Sequence, residues 1–419
     1  MAAIALLLGA ALVVAAAIDA REAPVAFLLA AGTAAAAYLA ALVRLPRTRW
    51  SRRGLILALL AAAIWRLPFL AREPTLSTDL YRYIWDGRVQ RAGLNPYAVT
   101  PSDPAIAHLH TPVTRRAEHV TLRAVYPPGA QLFFRAVTAV HESPLAVKLA
   151  LVGCEALTVG LLLAWPGDRA RAAASAVAVA WSPLSAIEVA GSGHVDALGV
   201  AALAGAFVAL ARGRRALAVA AFAAAVSVKP LPLVLAPLFW RRIRVRDAVL
   251  GAIVLVLPAL PFLGPGAPLP MASLDVYLEK YRFNGPLFRL LEPLAGAAGA
   301  AGLAIAAGIA VAASFRRRRA IADPAAWAWP QAVVLLLAPV VYPWYLLWLV
   351  PFVFSRATLP LGVWTASVIL TNAVWISVRD GAGWTLPAWV LPAEYGAVAV
   401  ALLVWRVAER RWNGRQAGS

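Results

Sequence analysis

The stretch RLPRTRWSRRGLILALLAAAIWRLPFL, residues 44–70, decides how the chain is read. Its first part, 44–53, carries a cluster of arginines and no acid, and its second part, 54–70, is built from Leu, Ala and Ile. About 20 apolar residues, rising about 1.5 Å each, carry a helix across a bilayer. Basic residues flanking such a run stay on the cytoplasmic side. The stretch therefore reads as a membrane span leaving the cytoplasm.

Working outward, the pattern repeats. Mainly apolar runs cover 2–18, 25–43, 145–166, 173–191, 197–211, 216–240, 248–263, 293–315, 327–341, 344–355, 360–377 and 388–405. Together with 54–70 they predict an all-α, polytopic transmembrane helical bundle of about 11–13 membrane helices. Composition agrees: 62% of the 419 residues are hydrophobic and 14% charged, with mean hydropathy +0.73. A soluble domain carries roughly 25% charged residues. The net charge of +19 sits in short clusters at the ends of apolar runs, among them 212–215 and 316–319. That distribution suits lipid headgroups and excludes nucleic acid as the partner. The single cysteine, Cys154, lies inside an apolar run, so no disulfide framework or thiol motif is expected. The first 19 residues lack a basic n-region and read as a first span rather than a cleaved leader. Three regions follow: an N-terminal hairpin 1–53, a membrane domain 54–405, and a cytoplasmic tail 406–419.

This topology places loop 71–130 outside, with further outer loops at 264–292 and 378–387. The segment 216–240 is awkward, because basic clusters at both its ends ask for the cytoplasm. A re-entrant path broken near Val228-Lys229-Pro230 resolves this, since proline interrupts a helix.

The first outer loop holds STDLYRYIWDGRVQRAGLNPY, residues 77–97. Ser77 or Thr78 caps a helix beginning near Asp79, and Gly93 ends it. Helical spacing sets Asp79, Arg82, Tyr83 and Asp86 on one face. Two acids and an arginine on one face make a polar platform at the mouth of the bundle. A carboxylate there can serve as a general base for a hydroxyl. It can equally be solvated or paired with Arg82, and on these residues alone Asp79 and Asp86 are equal candidates. Tyr126-Pro127-Pro128 fixes a turn before a helix starting near Gly129.

Three later features carry polar chemistry. GSGHVDALG, 191–199, sets His194 and Asp196 at a membrane edge, where ionisable groups mark function by default. One His and one Asp two residues apart do not make a metal set, so neither metal nor cofactor is expected. Lys229 interrupts an apolar run; it either snorkels to headgroups or meets a lipid phosphate. Arg282 and Asn284 line the next outer loop and are as readily solvated. Trp344 and Tyr345, in the YPWY of 342–345, form an interfacial belt or line a groove. No Walker loop or dinucleotide fingerprint is present, which excludes ATP-driven pumping and nucleotide-sugar chemistry on a Rossmann domain.

The segment DLYRYIWDGRVQRAGLNPY resembles the first outer loop of bacterial polyprenyl-phosphate-dependent glycosyltransferases of the GT-C fold, the group of glycosyltransferase family 87 and the mycobacterial-type mannosyltransferases. VYPPGAQ, GSGHVDAL and the Lys-Pro pair at 229–230 are similar to later features of that group, in the same order. The resemblance implies inverting transfer of a hexose, mannose by weight of the family. The donor would be a polyprenyl-phosphate sugar in the outer leaflet, the acceptor a glycolipid or glycan. It also implies Asp79 as the base, Asp86 at the sugar or acceptor, and Arg82, Arg88 and Lys229 at the phosphate. Tyr83, Tyr126, His194, Asp196, Arg282, Asn284, Trp344 and Tyr345 would line the substrate site. A secondary transporter or lipid-linked sugar flippase is the alternative. Such a protein would show internal duplication and midplane charges; here the charges gather at one face.

Overall fold

The computed structural model describes residues 1–264, 267–271, 276, 279–318 and 321–417, with side chains described as far as residue 409. Parts of the expected outer loop 264–292, and Arg319 of the basic cluster 316–319, lie outside the described residues. Among those described the fold is all-α, apart from one isolated parallel bridge between Phe283 and Val340.

The chain opens with an antiparallel hairpin, α1 (Ala2–Ala17) and α2 (Pro24–Arg44), followed by α3 (Arg52–Leu70). The hairpin is built into the bundle. A Cβ at Gly9 of α1 would lie 2.3 Å from Trp65 Nε1, so α3 sets its indole flat on that glycine. The buried Tyr38 of α2 donates its hydroxyl to the Ala178 carbonyl at 3.0 Å. At the loop end Arg72 Nη1 reaches the Ala17 carbonyl at 3.0 Å.

After the outer-loop helix α4 (Asp79–Arg91) come α5 (Pro128–Val140), α6 (Pro144–Leu163) and α7 (Arg169–Ala180). Their starts follow elementary capping chemistry. Ser143 Oγ accepts from the Ala146 N–H, and Asp168 Oδ1 from the Ala170 N–H. Proline opens α5 and α6, where its missing N–H costs nothing. Beyond α7 a short helical turn, Pro183–Ser185, widens into a π-helical turn, Ala186–Gly191. Gly193 follows in the left-handed region (φ +75°), and a side chain there would strike Leu80 Cδ1 at 2.4 Å. Only glycine lets this corner close down on α4.

Next come α8 (Asp196–Ala211) and α9 (Arg215–Val228). α9 ends where the sequence predicts a break: Lys229 is extended (φ −157°, ψ 135°), and a tight 3₁₀ segment, Leu231–Phe239, continues from Pro230. The bundle is completed by α10 (Val245–Val256), the long α11 (Pro286–Arg317), α12 (Pro324–Leu336), α13 (Leu359–Ser367), α14 (Val374–Arg379) and α15 (Val390–Ala417).

Seven helical segments among the described residues are long and apolar enough to cross a bilayer, and one bent pair, Arg169–Ala180 with Pro183–Gly191, makes an eighth. Four shorter apolar helices, Ala2–Ala17, Asp196–Ala211, Arg215–Val228 and Pro343–Phe352, accompany them. Large apolar side chains such as Leu6, Leu29, Leu57, Ile64 and Leu157 are exposed on these helices. In water that surface would aggregate, whereas in lipid it is the proper face. Some of the charge inside the bundle is paired or capped. Arg66 grips Glu155 with Nε–Oε2 at 2.7 Å and Nη2–Oε1 at 2.5 Å, both residues being buried. Lys148 Nζ closes the end of α3 by donating to the carbonyls of Phe69 and Arg72 at 2.6 and 2.7 Å.

Candidate active site

The site grows from the first turn of α4. Ser77 Oγ accepts from the Asp79 N–H at 3.2 Å, so the predicted cap is made by Ser77, while Thr78 makes no side-chain cap. Two turns apart, the two aspartates part company. Asp86 is fully buried, and both its oxygens are taken: Oδ1 by Arg82 Nε at 2.8 Å, Oδ2 by Gln131 Nε2 at 2.8 Å. Gln90 Nε2 links the same cluster to Gln131, donating to its carbonyl at 2.9 Å and its side chain at 2.8 Å. Asp86 thus ties α4 to α5. Asp79 keeps about a third of its side chain exposed, and its ionic neighbour among the described residues is His194, Nε2–Oδ2 3.9 Å. An accessible carboxylate that accepts no hydrogen bond is better placed to take a proton than a buried one with a donor on each oxygen.

His194 comes from the corner that Gly193 closes, and it is fully buried. Its Nδ1 lies 3.2 Å from the Glu188 carbonyl and 3.0 Å from Glu188 Oε2. The carbonyl is the better aligned acceptor, with the carboxylate alongside. Its Nε2 is buried without a hydrogen-bond partner and faces Asp79. The ring is stacked on Trp344, centroids 3.9 Å apart and 13° from parallel. Trp344 stacks on Tyr342 (4.5 Å) and Tyr342 on Phe283 (4.8 Å), giving a column of rings from the buried histidine to the segment before α11.

Lys229, released from helical geometry at the end of α9, sets Nζ 2.7 Å from Asp196 Oδ1 and 3.7 Å from the Tyr345 ring centroid. Trp348 Nε1 also donates to Asp196 Oδ1, at 2.6 Å. That indole fits because Gly199 lies beneath it: a Cβ there would be 2.2 Å from the ring. Tyr83 bridges the two halves, stacking on Phe134 at 4.4 Å and meeting Tyr126 edge-on at 5.0 Å. Burial, and then the charge of Asp79, pushes the hydroxyls of Tyr83 and Tyr126 well above the ordinary tyrosine value, so both are neutral donors. Arg82 leaves Nη2 buried and unpartnered beside them.

Asp79, Arg82, Tyr83, Tyr126, His194, Asp196, Lys229, Trp344 and Tyr345 therefore meet in one neighbourhood. Three expected members stand elsewhere. Arg88 pairs with Glu142 at 2.8 Å, alongside Arg91, on the other side of α4. Arg282 forms an ion pair with Glu292 and donates to the Tyr281 carbonyl at 2.8 Å. Asn284 is buried and donates to Glu394 Oε1 at 3.2 Å, which Trp364 Nε1 also reaches at 2.8 Å. The sequence reading missed Glu188, Gln131 and Trp348. Glu188 carried a usable signal, an acid inside the apolar run 173–191. Among the described residues no group of three or more His, Cys, Asp or Glu could hold a metal.

A bundle of apolar helices that gathers its free carboxylate, lysine and aromatic rings at one place is a membrane-embedded enzyme in architecture. The model of the family described as alpha-(1->6)-mannopyranosyltransferase, N-terminal domain, matches residues 3–243, more than half of the chain. The chain belongs to this family of glycosyltransferases. The match includes the N-terminal hairpin together with α4, the histidine corner and Lys229. No curated protein matches the chain. Among solved structures, ArnT from Cupriavidus metallidurans bound to undecaprenyl phosphate is similar at 15% identity, covering 85% of this chain and 73% of that one, with a TM-score of 0.47.

Proposed function

We propose that the chain is a GT-C-type enzyme that moves a hexose from a polyprenyl-phosphate donor to a hydroxyl of a glycolipid or glycan, at the outer face of the membrane. Mannose is the sugar that the family's description favours. Asp79 is the general base, and its unsaturated, partly exposed carboxylate is the observation that carries the assignment. It takes the proton of the acceptor hydroxyl as that oxygen attacks the anomeric carbon, and the sugar–phosphate bond breaks on the opposite side with inversion. The bond's electron pair leaves on the polyprenyl phosphate, whose added charge is met by Lys229 and by the spare Nη2 of Arg82. Asp86 holds Arg82 for this task and touches no substrate, a narrower role than its spacing suggested. Trp344, stacked between His194 and Tyr342, and Tyr345, beneath Lys229, form an aromatic wall beside the sugar or the first isoprene units.

Reconstitution with labelled polyprenyl-phosphate mannose and octyl mannoside tests the reading. Asp79→Asn should lose at least about a hundredfold in kcat, with donor binding retained. Undiminished transfer would reject Asp79 as the base, and no transfer by wild type with any polyprenyl-phosphate sugar would reject the donor class.

A further inference from the structure

His194 sits between two carboxylates, and we propose that Glu188 is a positioning residue whose grip on Nδ1 makes His194 the second station of a proton relay from Asp79. The inference rests on Asp79 acting as the base, and it adds the group that holds the proton while transfer is completed.

Both acceptors near Nδ1, the Glu188 carbonyl at 3.2 Å and Oε2 at 3.0 Å, belong to one residue. The hydrogen bond goes to the carbonyl, while Oε2, buried without a hydrogen-bond partner, lies alongside as a charge; the hydrogen is thus on Nδ1 and the lone pair on Nε2. That atom is buried, has no hydrogen-bond partner, and points at Asp79 Oδ2 across 3.9 Å. The ring cannot swing to another partner, because Trp344 covers its face at 3.9 Å and Gly193 holds the backbone corner on α4. Glu188 is itself 1% exposed and pairs with no arginine or lysine among the described residues. Its carboxylate therefore stands against the ring on the side away from Asp79 with His194 as its ionic neighbour.

The step balances. The acceptor O–H bond breaks and its proton goes to Asp79 Oδ2, while the acceptor oxygen forms its bond to the anomeric carbon. Asp79 then gives the proton to His194 Nε2, restoring the carboxylate and leaving an imidazolium beside Glu188; once the products leave, the proton returns through Asp79, the exposed member of the pair, to water. Other charged groups near the ring are already engaged. Asp196 is held by Lys229 and Trp348, and Lys148, whose chain passes Gly193, by the carbonyls that end α3.

Kinetics of the full-length protein in liposomes, with polyprenyl-phosphate mannose as donor and octyl mannoside as acceptor, test the relay. Glu188→Gln keeps the shape and removes the charge. The expected result is a kcat reduced roughly tenfold or more, both KM values within about twofold of wild type, and an enlarged solvent deuterium isotope effect. Glu188→Asp should recover part of the loss. Because the two residues act as a unit, Glu188→Gln/His194→Gln should be no worse than the more impaired single variant. Wild-type kcat in Glu188→Gln, or losses that multiply in the double variant, would overturn the relay. If Glu188→Gln fails to fold, His194→Gln decides, and an unchanged kcat there overturns it equally. An inactive Asp79→Asn beside fully active Glu188→Gln and His194→Gln removes the relay and leaves the base standing. An active Asp79→Asn removes both.

Discussion

Lys229 offers the most demanding test, because its structural and chemical roles can be separated. Replacing it by Met deletes the 2.7 Å contact with Asp196 Oδ1 and leaves that buried carboxylate with Trp348 as its donor. Breaking a buried pair by removing one partner costs about 3–5 kcal/mol. A quarter of the lysine side chain is exposed, so part of its charge is already screened. Lys229→Met should therefore lose about 2–3 kcal/mol. Asp196→Asn removes the orphaned charge, so the double variant Lys229→Met/Asp196→Asn should regain roughly half or more of that loss. Activity should not follow. If Lys229 faces the donor phosphate, both variants lacking it bind donor at least about tenfold more weakly, whatever their stability. Thermal melting in detergent gives the first quantity, and the donor KM gives the second. A double variant that regains the wild-type donor KM would show Lys229 to be only the counter-ion of Asp196. An unshifted melting temperature in Lys229→Met would refute the buried-pair estimate.

The other expectations concern packing and pH. Gly199→Ala puts a methyl where Trp348 lies, so it should cost about 1–3 kcal/mol and shift tryptophan emission as the indole leaves Asp196. Arg66→Met alone strands Glu155 and should cost about 3–5 kcal/mol, whereas Arg66→Met/Glu155→Leu should regain most of it on thermal melting. Tyr83 and Tyr126 have folded values raised above 10.0, so the unfolded chain loses these protons first. Their contribution is complete below pH 10 and falls away as pH rises further, so melting temperature should decline above that point.

Much of the architecture is legible because local chemistry specifies it. The boundaries of α4 follow from Ser77 and from Gly93, which sits at φ +80°. The break at Lys229-Pro230 follows from proline alone. The pairing of Arg82 with Asp86 is an i,i+4 contact that helical spacing already contains. What the sequence leaves open are the choices that tertiary packing makes among equivalent polar residues. Asp79 and Asp86 look alike in the string; Gln131, some 45 residues from Asp86, engages that one and not Asp79. Arg88 looks like a neighbour of the site, yet it lies on the other side of α4 with Glu142. Asn284 finds Glu394 across 110 residues, a partner no spacing rule reaches. Trp348 finds Asp196 across 152 residues for the same reason.

The column Phe283, Tyr342, Trp344 and His194 bears on how such an enzyme can be altered. Loops at a membrane surface are the usual material for changing acceptor preference by grafting. Here the loop before α11 ends in a ring whose stack terminates on the imidazole, and the bridge from Phe283 to Val340 registers the loop against the YPWY segment. A transplanted loop that lacks an aromatic at 283 would take away the end support of that stack. Recognition and chemistry in this chain are therefore inherited together: the useful unit of exchange is the loop with residues 340–345 attached.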